Sequence, residues 1–304
     1  MITPANAISD PAAMAPAIIS PMRPFYWSVR RELWEHRSLY LAPLAIAALI
    51  LVASLIGTIN LPAKLHDASL DARRQHELIE QPYDFAALLL MFTTLVVGVF
   101  YCVDALQGER RDRSILFWKS LPVSDLTAVL AKASVPLVVL PLVTFVITVA
   151  TQAMMLLLGS ARLLGSDPGI AELWSHVPLL PMSVMLLYHL VAVHGLWYAP
   201  MWGWLLLCSA WSRRAPYLWA TLPLLAVALV EKIAFNTAHF GHWLAYRFTG
   251  SPDGMAPGNE PMTMAALTAP PVQLLSSPGF WFGLSLAAIF LAVAVRLRRS
   301  QGPI

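Results

Sequence analysis

Histidine pairs are the first residues in this sequence whose type and spacing could support chemistry. His189 and His194 lie in one apolar stretch, while His239 and His242 lie in a more polar one. Imidazole nitrogens bind zinc, copper and haem iron, so two histidines on one helical face would form a candidate site. Residues five apart do not share a face of an α-helix, which argues against a joint site at 189 and 194. The second pair is three apart but has no carboxylate close by, which favours hydrogen bonding at a membrane interface.

Catalytic motifs are absent from the sequence. The pattern G-x-x-x-x-G-K-[ST] does not occur, so the chain lacks the usual loop that holds ATP phosphates. No Ser-His-Asp set, pair of catalytic carboxylates or zinc-ligand spacing stands out. We interpret Cys102 and Cys208 as small buried hydrophobic residues, because both lie near the ends of apolar stretches. We therefore assign no catalytic, cofactor or metal residue and predict that the chain is not itself an enzyme.

Long uncharged runs determine the class of the protein. Hydrophobic residues make up 58% of the chain and charged residues 12%, about half the charge typical of soluble domains. A helix of about 20 apolar residues crosses a bilayer, and the sequence predicts an all-α membrane protein with six such helices. Prolines 136 and 141 are expected to bend the third. The predicted spans are 39–59, 85–103, 126–157, 179–208, 217–235 and 279–295. They form a single transmembrane domain, 24–298, between a flexible tail at 1–23 and a short tail at 299–304.

Lysine and arginine predict the orientation of these spans. With the amino terminus in the cytoplasm, fourteen of the 20 basic residues lie on the cytoplasmic side and six outside. An even number of spans then places both termini in the cytoplasm. The basic residues lie at span ends instead of forming an exposed stripe, so no nucleic-acid partner is expected. On the outer side, 61–83 is expected to contain a short surface helix, and the first part of 236–278 to lie at the interface or dip back into the membrane.

Charge is concentrated in one stretch, GERRDRSILFWKSLPVSD, which we call the charged segment (Gly108–Asp125). Ile115 and Trp118 fall three apart, so a short helix here would have an apolar face. Pro122 should end that helix, and Ser124 is expected to cap the third span. The sequence thus predicts a short amphipathic helix between the second and third spans.

Two interpretations of the charged segment are possible. Membrane topology alone requires arginines on the cytoplasmic side, with Phe117 and Trp118 resting in the lipid interface. Docking to another protein also explains the alternating charges and the proline stop, because aromatic anchors fill a pocket while flanking charges set the orientation. We favour docking.

The run ERRDRSILFWKSLPVSD followed by VLAKA resembles the segment after the second span of ABC-2 type transporter permeases, the membrane subunits of ATP-binding-cassette exporters. The acidic-basic start, the serine before the hydrophobic turn, SLPVS and Lys132 match that pattern. The resemblance covers Leu106 to Ala133. The six-span layout and FYWSVRRELWEHRSLYLAP near the amino end support it more loosely.

This resemblance implies an ABC-2 exporter-like fold, with an amphipathic elbow helix at 24–38 and a cytoplasmic coupling helix in the charged segment. Its elbow-helix residues would be Trp27, Arg30, Arg31, Leu33 and Trp34. The residues implied as contacts to an ATP-binding subunit are Glu109, Arg110, Arg111, Asp112, Arg113, Ser114, Phe117, Trp118 and Lys119.

The resemblance also implies partners and a location. Two copies of a separate ATP-binding subunit would bind ATP and Mg²⁺, and this chain would bind no cofactor. A second permease subunit, preferably an identical copy, and membrane lipids complete the expected partners. The location would be the bacterial cytoplasmic (inner) membrane, with export of a substrate that the sequence does not identify.

Polar residues inside spans are further candidate functional positions. Asp104 lies at the cytoplasmic edge of the second span. Glu231 and Lys232 lie at the outer end of the fifth and point about 100° apart, so they are poor partners for each other. The aromatic-rich fourth span indicates packing, or a pathway for a large amphipathic substrate. Two other functions stay open: an intramembrane redox or metal-binding protein that uses His189 and His194, and a non-transporting scaffold or channel.

Overall fold

The computed structural model describes residues 22–60, 72–121, 123–164, 170–249 and 275–302. The predicted tail at 1–23 lies almost entirely outside these ranges. Regular structure within them is entirely helical. The helices are α1 (Met22–Glu35), α2 (Ser38–Gly57), α3 (Ala72–Ala105), α4 (Gln107–Arg111), α5 (Ser114–Ser120), α6 (Asp125–Ser134), α7 (Leu140–Arg162), α8 (Ile170–His176), α9 (Leu179–His189), α10 (Ala199–Trp211), α11 (Pro216–Phe235), α12 (His239–Thr249) and α13 (Pro278–Ser300). One π-helical segment, Val135–Val139, joins α6 to α7, and another, Leu190–Trp197, joins α9 to α10.

Six helical stretches in the described residues are long and apolar enough to cross a membrane, which confirms the predicted class of all-helical, multi-pass membrane protein. Their outward faces carry large exposed apolar side chains such as Leu49, Phe92 and Val146. Exposing such apolar surfaces to water would cost free energy, whereas exposing them to lipid does not. The stretches are Ser38–Gly57, Ile79–Arg111, Asp125–Arg162, Leu173–Trp197, Pro216–Phe235 and Pro278–Ser300.

Helix α3 lies at the centre of the bundle, in contact with α2, α7 and α10. Inside the apolar interface with α7, the hydroxyls of Thr94 and Thr144 are 2.6 Å apart and form a buried hydrogen bond. Helix α10 packs along α13, where Gly203 allows close approach: a Cβ there would lie 3.2 Å from the carbonyl oxygen of Ala287. Helix α11 is the least buried of the six, with Pro216 and Ala220 as its buried residues.

Both π-helical segments lie where two long helices meet. Pro136 lies in the first segment, and because proline has no backbone N–H, regular i→i−4 bonding is interrupted there. The second segment contains Gly195, where a Cβ would lie 2.9 Å from the carbonyl oxygen of Leu137 in the first. The two segments therefore touch through backbone atoms.

Two expectations for the outer segments have different outcomes. The short surface helix expected within 61–83 is wrong for the described part, because from Ala72 onward the chain already belongs to α3, which continues through Pro82 into the second span. Residues 61–71 lie outside the described residues. In the last outer segment, α12 packs against α11, and residues 250–274 lie outside the described residues.

Candidate functional site

The charged segment forms two short helices held against the end of the bundle. Arg113, with φ 59°, has a left-handed conformation that turns the chain from α4 into α5. At the far end Leu121 is extended, as expected for a residue before proline. The predicted cap is confirmed, since Ser124 Oγ accepts a 3.1 Å hydrogen bond from the backbone N–H of Thr127. This loop is therefore a defined structure and not a simple linker.

Arg110 attaches α4 to the end of α10. Its guanidinium donates to the carbonyl oxygens of Ala210 at 2.6 Å and Ser212 at 3.3 Å, and to that of Gly302 at 3.4 Å. Helix ends leave carbonyl groups without partners, and this buried arginine satisfies them. Beside it, the backbone N–H groups of Leu106 and Gln107 both donate to Ser209 Oγ at 3.0 Å.

Glu109 lies at the centre of a group of charged side chains that we call the buried ion cluster (Arg31, Glu32, Glu109, Asp125, Lys132 and Arg298). One carboxylate oxygen of Glu109 accepts from Arg31 at 2.6 Å and lies 3.2 Å from Lys132 Nζ. The other oxygen accepts from Nη1 of Arg298. Nε of the same arginine lies 3.1 Å from a carboxylate oxygen of Asp125. Glu109 therefore connects helix α1, the third span and the sixth.

Glu32 is the second carboxylate of the buried ion cluster, and only 2% of it is exposed. It accepts hydrogen bonds from Lys132 Nζ at 2.8 Å and from the Tyr101 hydroxyl at 2.9 Å. Lys132 is 1% exposed. The three carboxylates and three cations of the cluster balance, which is what makes burial of so much charge tolerable.

Trp118 ties α5 to α1. The guanidinium of Arg31 lies 3.5 Å from the centre of the Trp118 ring, a cation–π contact. Burial lowers the pKa of Arg31, but the carboxylates of Glu32, Glu109 and Glu35 outweigh this effect and raise it, so the cation is permanent. The predicted Arg31–Glu35 pair is present at 3.0 Å. Between the two helices lies a groove of about 270 Å³.

Predicted contact residues of the charged segment divide into buried and exposed groups. Glu109 and Arg110 are buried and contact this chain, and Ser114 Oγ donates to the Glu109 carbonyl at 3.4 Å. Ile115 and half-buried Trp118 form the inward apolar face of α5. The exposed surface of the segment includes Arg111, Asp112, Arg113, Leu116, Phe117 and Lys119, with Phe117 60% exposed.

Elbow-helix residues also divide between two environments. Arg30 lies between exposed Trp27 and Trp34, 5.0 Å and 4.6 Å from their ring centres, a group suited to a membrane interface. Leu33 packs against the core. The helix spans 22–35 instead of the predicted 24–38, because the helical conformation is interrupted at His36 and Arg37 before α2 begins.

Sequence reasoning missed three of the six members of the buried ion cluster. Glu32, Asp125 and Arg298 were not expected in a site, and Lys132 entered only through the family pattern. A signal was available, because Lys132 is the last charge before 29 uncharged residues and lies inside the apolar helix α6. A lysine in that place needs a buried partner.

One group of three potential metal ligands occurs within the described residues: Glu32, Glu35 and His36. Both oxygens of Glu32 already accept hydrogen bonds, from Lys132 and from Tyr101. A cation at this position would have to displace the Lys132 ammonium. Ion pairing accounts for the arrangement better than metal binding does.

The predicted polar positions in the spans have structural partners or face outward. Asp104 is 3.3 Å from Arg111 in an exposed pair. Glu231 accepts from the backbone N–H groups of His239 at 2.6 Å and Phe240 at 2.8 Å, and so caps the start of α12. Lys232 is exposed. As expected, Glu231 and Lys232 do not pair with each other.

The histidines of the fourth span lie on one face, which contradicts the expectation from their spacing. Both are buried, and the ring centres of His189 and His194 are 5.5 Å apart. The reason is the π-helical segment Leu190–Trp197, in which i→i+5 bonding brings residues five apart together. Sequence alone does not distinguish this geometry from a regular α-helix.

Gly195 should be required for this geometry. We expect Gly195→Leu to force the two π-helical segments apart and to destabilise the protein by about 1 to 3 kcal/mol, measured by thermal unfolding in detergent. Gly57→Leu is the control, since nothing lies within 4 Å of a Cβ there. Equal unfolding temperatures for the two variants would contradict the contact between Gly195 and Leu137.

Comparison with known proteins identifies no relative for this arrangement. No protein-family model, no curated protein and no solved structure matches the chain. The resemblance of Leu106–Ala133 to ABC-2 permeases therefore stays a prediction from sequence. What the structure describes is a six-span helical bundle with an anchored, partly exposed charged segment at one end.

Proposed function

We propose that this chain is the permease subunit of an ABC-2 type ATP-driven exporter, in which the charged segment receives force from a separate ATP-binding subunit. The observation that carries the proposal is the attachment of the charged segment to four other helices of the bundle, α1, α6 and α13 through Glu109 and α10 through Arg110. A segment that only joined two spans would not need a buried charge network.

The attachment supports force transmission in a specific way. Glu109 contacts α1, α6 and α13 through Arg31, Lys132 and Arg298. Glu109 lies in α4, directly before α5, and its carbonyl accepts from Ser114 Oγ of α5. A push on α5 would therefore be passed through α4 to the elbow helix, the third span and the sixth span together. Rigid elements with such fixed contacts are the usual carriers of conformational coupling.

The exposed side of α5 supports the docking part of the proposal. Leu116 and Phe117 are exposed apolar side chains beside Arg111, Arg113 and Lys119. Aromatic anchors with flanking charges are typical of protein interfaces. On this proposal the partner is the ATP-binding subunit, present in two copies with ATP and Mg²⁺.

The remaining parts of the proposal follow from orientation and packing. The charged end of the bundle would face the cytoplasm of a bacterium, with both termini on that side. A second, identical permease subunit and lipid would cover outward-facing helices such as α11, whose Leu225, Leu229 and Ile233 are exposed. The transported substrate would pass between the two permease subunits.

The test is to purify the chain from its native host and measure which ATPase accompanies it. Phe117→Asp should reduce the amount of copurified ATPase about tenfold or more. Loss of an aromatic side chain that becomes buried in a protein interface typically costs about 2 kcal/mol or more of binding free energy. Thermal unfolding of the isolated chain should change little, since Phe117 is exposed.

The matched control is Leu164→Asp, which places the same charge on a residue that is 72% exposed and lies past the far end of α7. It should leave the copurified ATPase unchanged. The proposal fails if no ATPase accompanies the unaltered chain, or if Phe117→Asp keeps full ATPase recovery and transport.

A further inference from the structure

Arg247 occupies an unusual position at the end of the bundle opposite the buried ion cluster. It lies in the last turn of α12, and it is 7% exposed although it carries a charge. Glu231 caps the start of α12, because its carboxylate accepts hydrogen bonds from the first backbone N–H groups of that helix. The helix then runs to the first turns of α13, where Arg247 Nη2 donates to the Gly279 carbonyl at 2.6 Å.

The surroundings of Arg247 are built to admit its side chain. Its guanidinium lies 4.5 Å from the centre of the Trp197 ring, and its backbone carbonyl accepts from Trp197 Nε1 at 2.7 Å. On the other side is Gly283, where a Cβ would overlap Nη2 of the arginine. Gly283 and the ring of Trp197 thus lie on the two sides of the space that the Arg247 guanidinium occupies.

The charge of Arg247 is incompletely satisfied. Its Nη1 is buried and has no hydrogen-bond partner, and no carboxylate in the described part of the chain forms an ion pair with it. The buried ion cluster shows the opposite arrangement, since Arg31, Lys132 and Arg298 each pair with a carboxylate. An unpaired buried cation is costly, and such residues inside membrane proteins mark sites where ligands or ions bind.

Arg247 also lines a cavity of about 250 Å³ among the fourth, fifth and sixth spans and α12. The rest of the lining is apolar and rich in aromatic rings. It includes Trp204, Leu224, Phe240, Trp243 and Phe290. The cavity is slightly smaller than the roughly 300 to 1,000 Å³ typical of drug-sized ligands, so it would hold one short chain or ring system and not a whole phospholipid.

We propose that this cavity binds an amphipathic molecule with a single acidic group, which pairs with Arg247 while the apolar part contacts the aromatic rings. A carboxylate or phosphate that draws the guanidinium toward the cavity would supply the missing partner of Nη1, which is fully buried without a ligand. The acidic group could belong to a free amphiphile or to the headgroup of a membrane lipid. The site requires no ATP-binding partner and so stands or falls separately from the proposed transport role.

The experiment compares two probes with the same bromine-tipped alkyl chain, 8-bromooctanoate, which ends in a carboxylate, and 8-bromooctanol, which ends in a neutral hydroxyl. Bromine quenches tryptophan fluorescence, and Trp197, Trp204 and Trp243 line the cavity. With the protein in nanodiscs of zwitterionic lipid, we expect the acid to bind about tenfold or more tightly than the alcohol, the factor typical of a charged hydrogen bond.

Two variants assign the binding to this cavity. Arg247→Gln should remove the preference for the acid, while Lys232→Gln, which removes an exposed charge near the start of α12, should keep it. Leu224→Trp, which fills the cavity and leaves Arg247 in place, should weaken binding of both probes. If Arg247→Gln does not fold, Leu224→Trp and the comparison of the two probes still test whether the acid binds in this cavity.

Anionic lipid distinguishes the source of the acid. If nanodiscs containing phosphatidylglycerol weaken binding of 8-bromooctanoate, the lipid headgroup competes for Arg247, and if they do not, the site selects free amphiphiles. Equal binding of acid and alcohol to the unaltered protein would overturn the proposal. So would a preference for the acid that survives Arg247→Gln, or unchanged binding in Leu224→Trp.

Discussion

Replacing Lys132 with methionine is expected to destabilise the protein by about 3 to 5 kcal/mol, the range for breaking a buried ion pair from one side. The side chain of Lys132 is 2% exposed and lies 2.8 Å from Glu32 and 3.2 Å from Glu109. Without the ammonium, the cluster has three carboxylates and two cations. The excess negative charge cannot reach water without opening the contact between α1 and α6.

Thermal unfolding in detergent is the measurement for Lys132→Met. A matched control is Arg111→Met, which removes a cation from two exposed pairs, with Asp104 and Asp112, both 3.3 Å apart. Exposed pairs contribute little, so this change should stay within about 1 kcal/mol.

Charge balance can be separated from packing by a second substitution. Adding Glu32→Gln to Lys132→Met restores equal numbers of positive and negative charges in the cluster. The double variant should therefore be more stable than Lys132→Met alone, a non-additive result typical of residues in contact. If the double variant is less stable, packing of the lysine side chain and not its charge is the main contribution.

Arg110→Glu is expected to have the second large effect, about 3 kcal/mol or more of lost stability, whereas Arg111→Glu should cost less than about 1 kcal/mol. Arg110 Nη1 donates to the carbonyl oxygens of Ala210 and Ser212 in a buried position. A glutamate there would leave these acceptors without a donor and place a carboxylate beside them. Arg111 is exposed.

Adjacent arginines thus provide a direct test of the structure. Chemical unfolding and limited proteolysis at the end of α10 would show whether only the first substitution loosens the contact between α4 and α10. Similar stability for the two variants would mean that Arg110 does not hold α10 in solution. It follows that Arg110→Glu is unsuitable for testing the ATP-binding partner, because loss of transport could reflect unfolding, and Phe117→Asp is the cleaner choice.

These two predictions bear on the proposed function through the same contacts. Lys132 holds Glu109 to the third span, and Arg110 holds the charged segment to the end of α10. On the proposal, protein that stays folded after either contact is weakened should lose ATP-dependent transport more than ATPase binding, because the exposed face of α5 is kept. Phe117→Asp should do the reverse and lower binding first.

Local signals in the sequence were sufficient for the elements themselves. Apolar runs of about the length of a bilayer crossing predicted the six spans, because apolar length is a property of the sequence alone. Ser124 predicted its own role as a cap, since a capping bond joins residues three apart. The Arg31–Glu35 pair was predictable for the same reason.

Contacts between distant residues could not be predicted in this way. Glu109 meets Arg298 across 189 positions, and Arg110 meets Gly302 across 192. Arg110 and Arg111 look alike in sequence, yet one is buried and the other is exposed. The pairing of His189 and His194 depends on a π-helical segment that packs against a second one at Gly195, so spacing alone gave the wrong face.

The sequence by itself therefore determined the membrane-spanning class, the number of spans and the short amphipathic helix between the second and third. Only the tertiary structure decided which charges are buried, what Glu109 and Arg110 bind, and that Arg247 lies beside an aromatic cavity. The physical reason is the range of the interactions. Hydropathy and capping act within a few residues, whereas a buried charge is tolerated only if a partner from another helix reaches it, and that depends on how the helices pack.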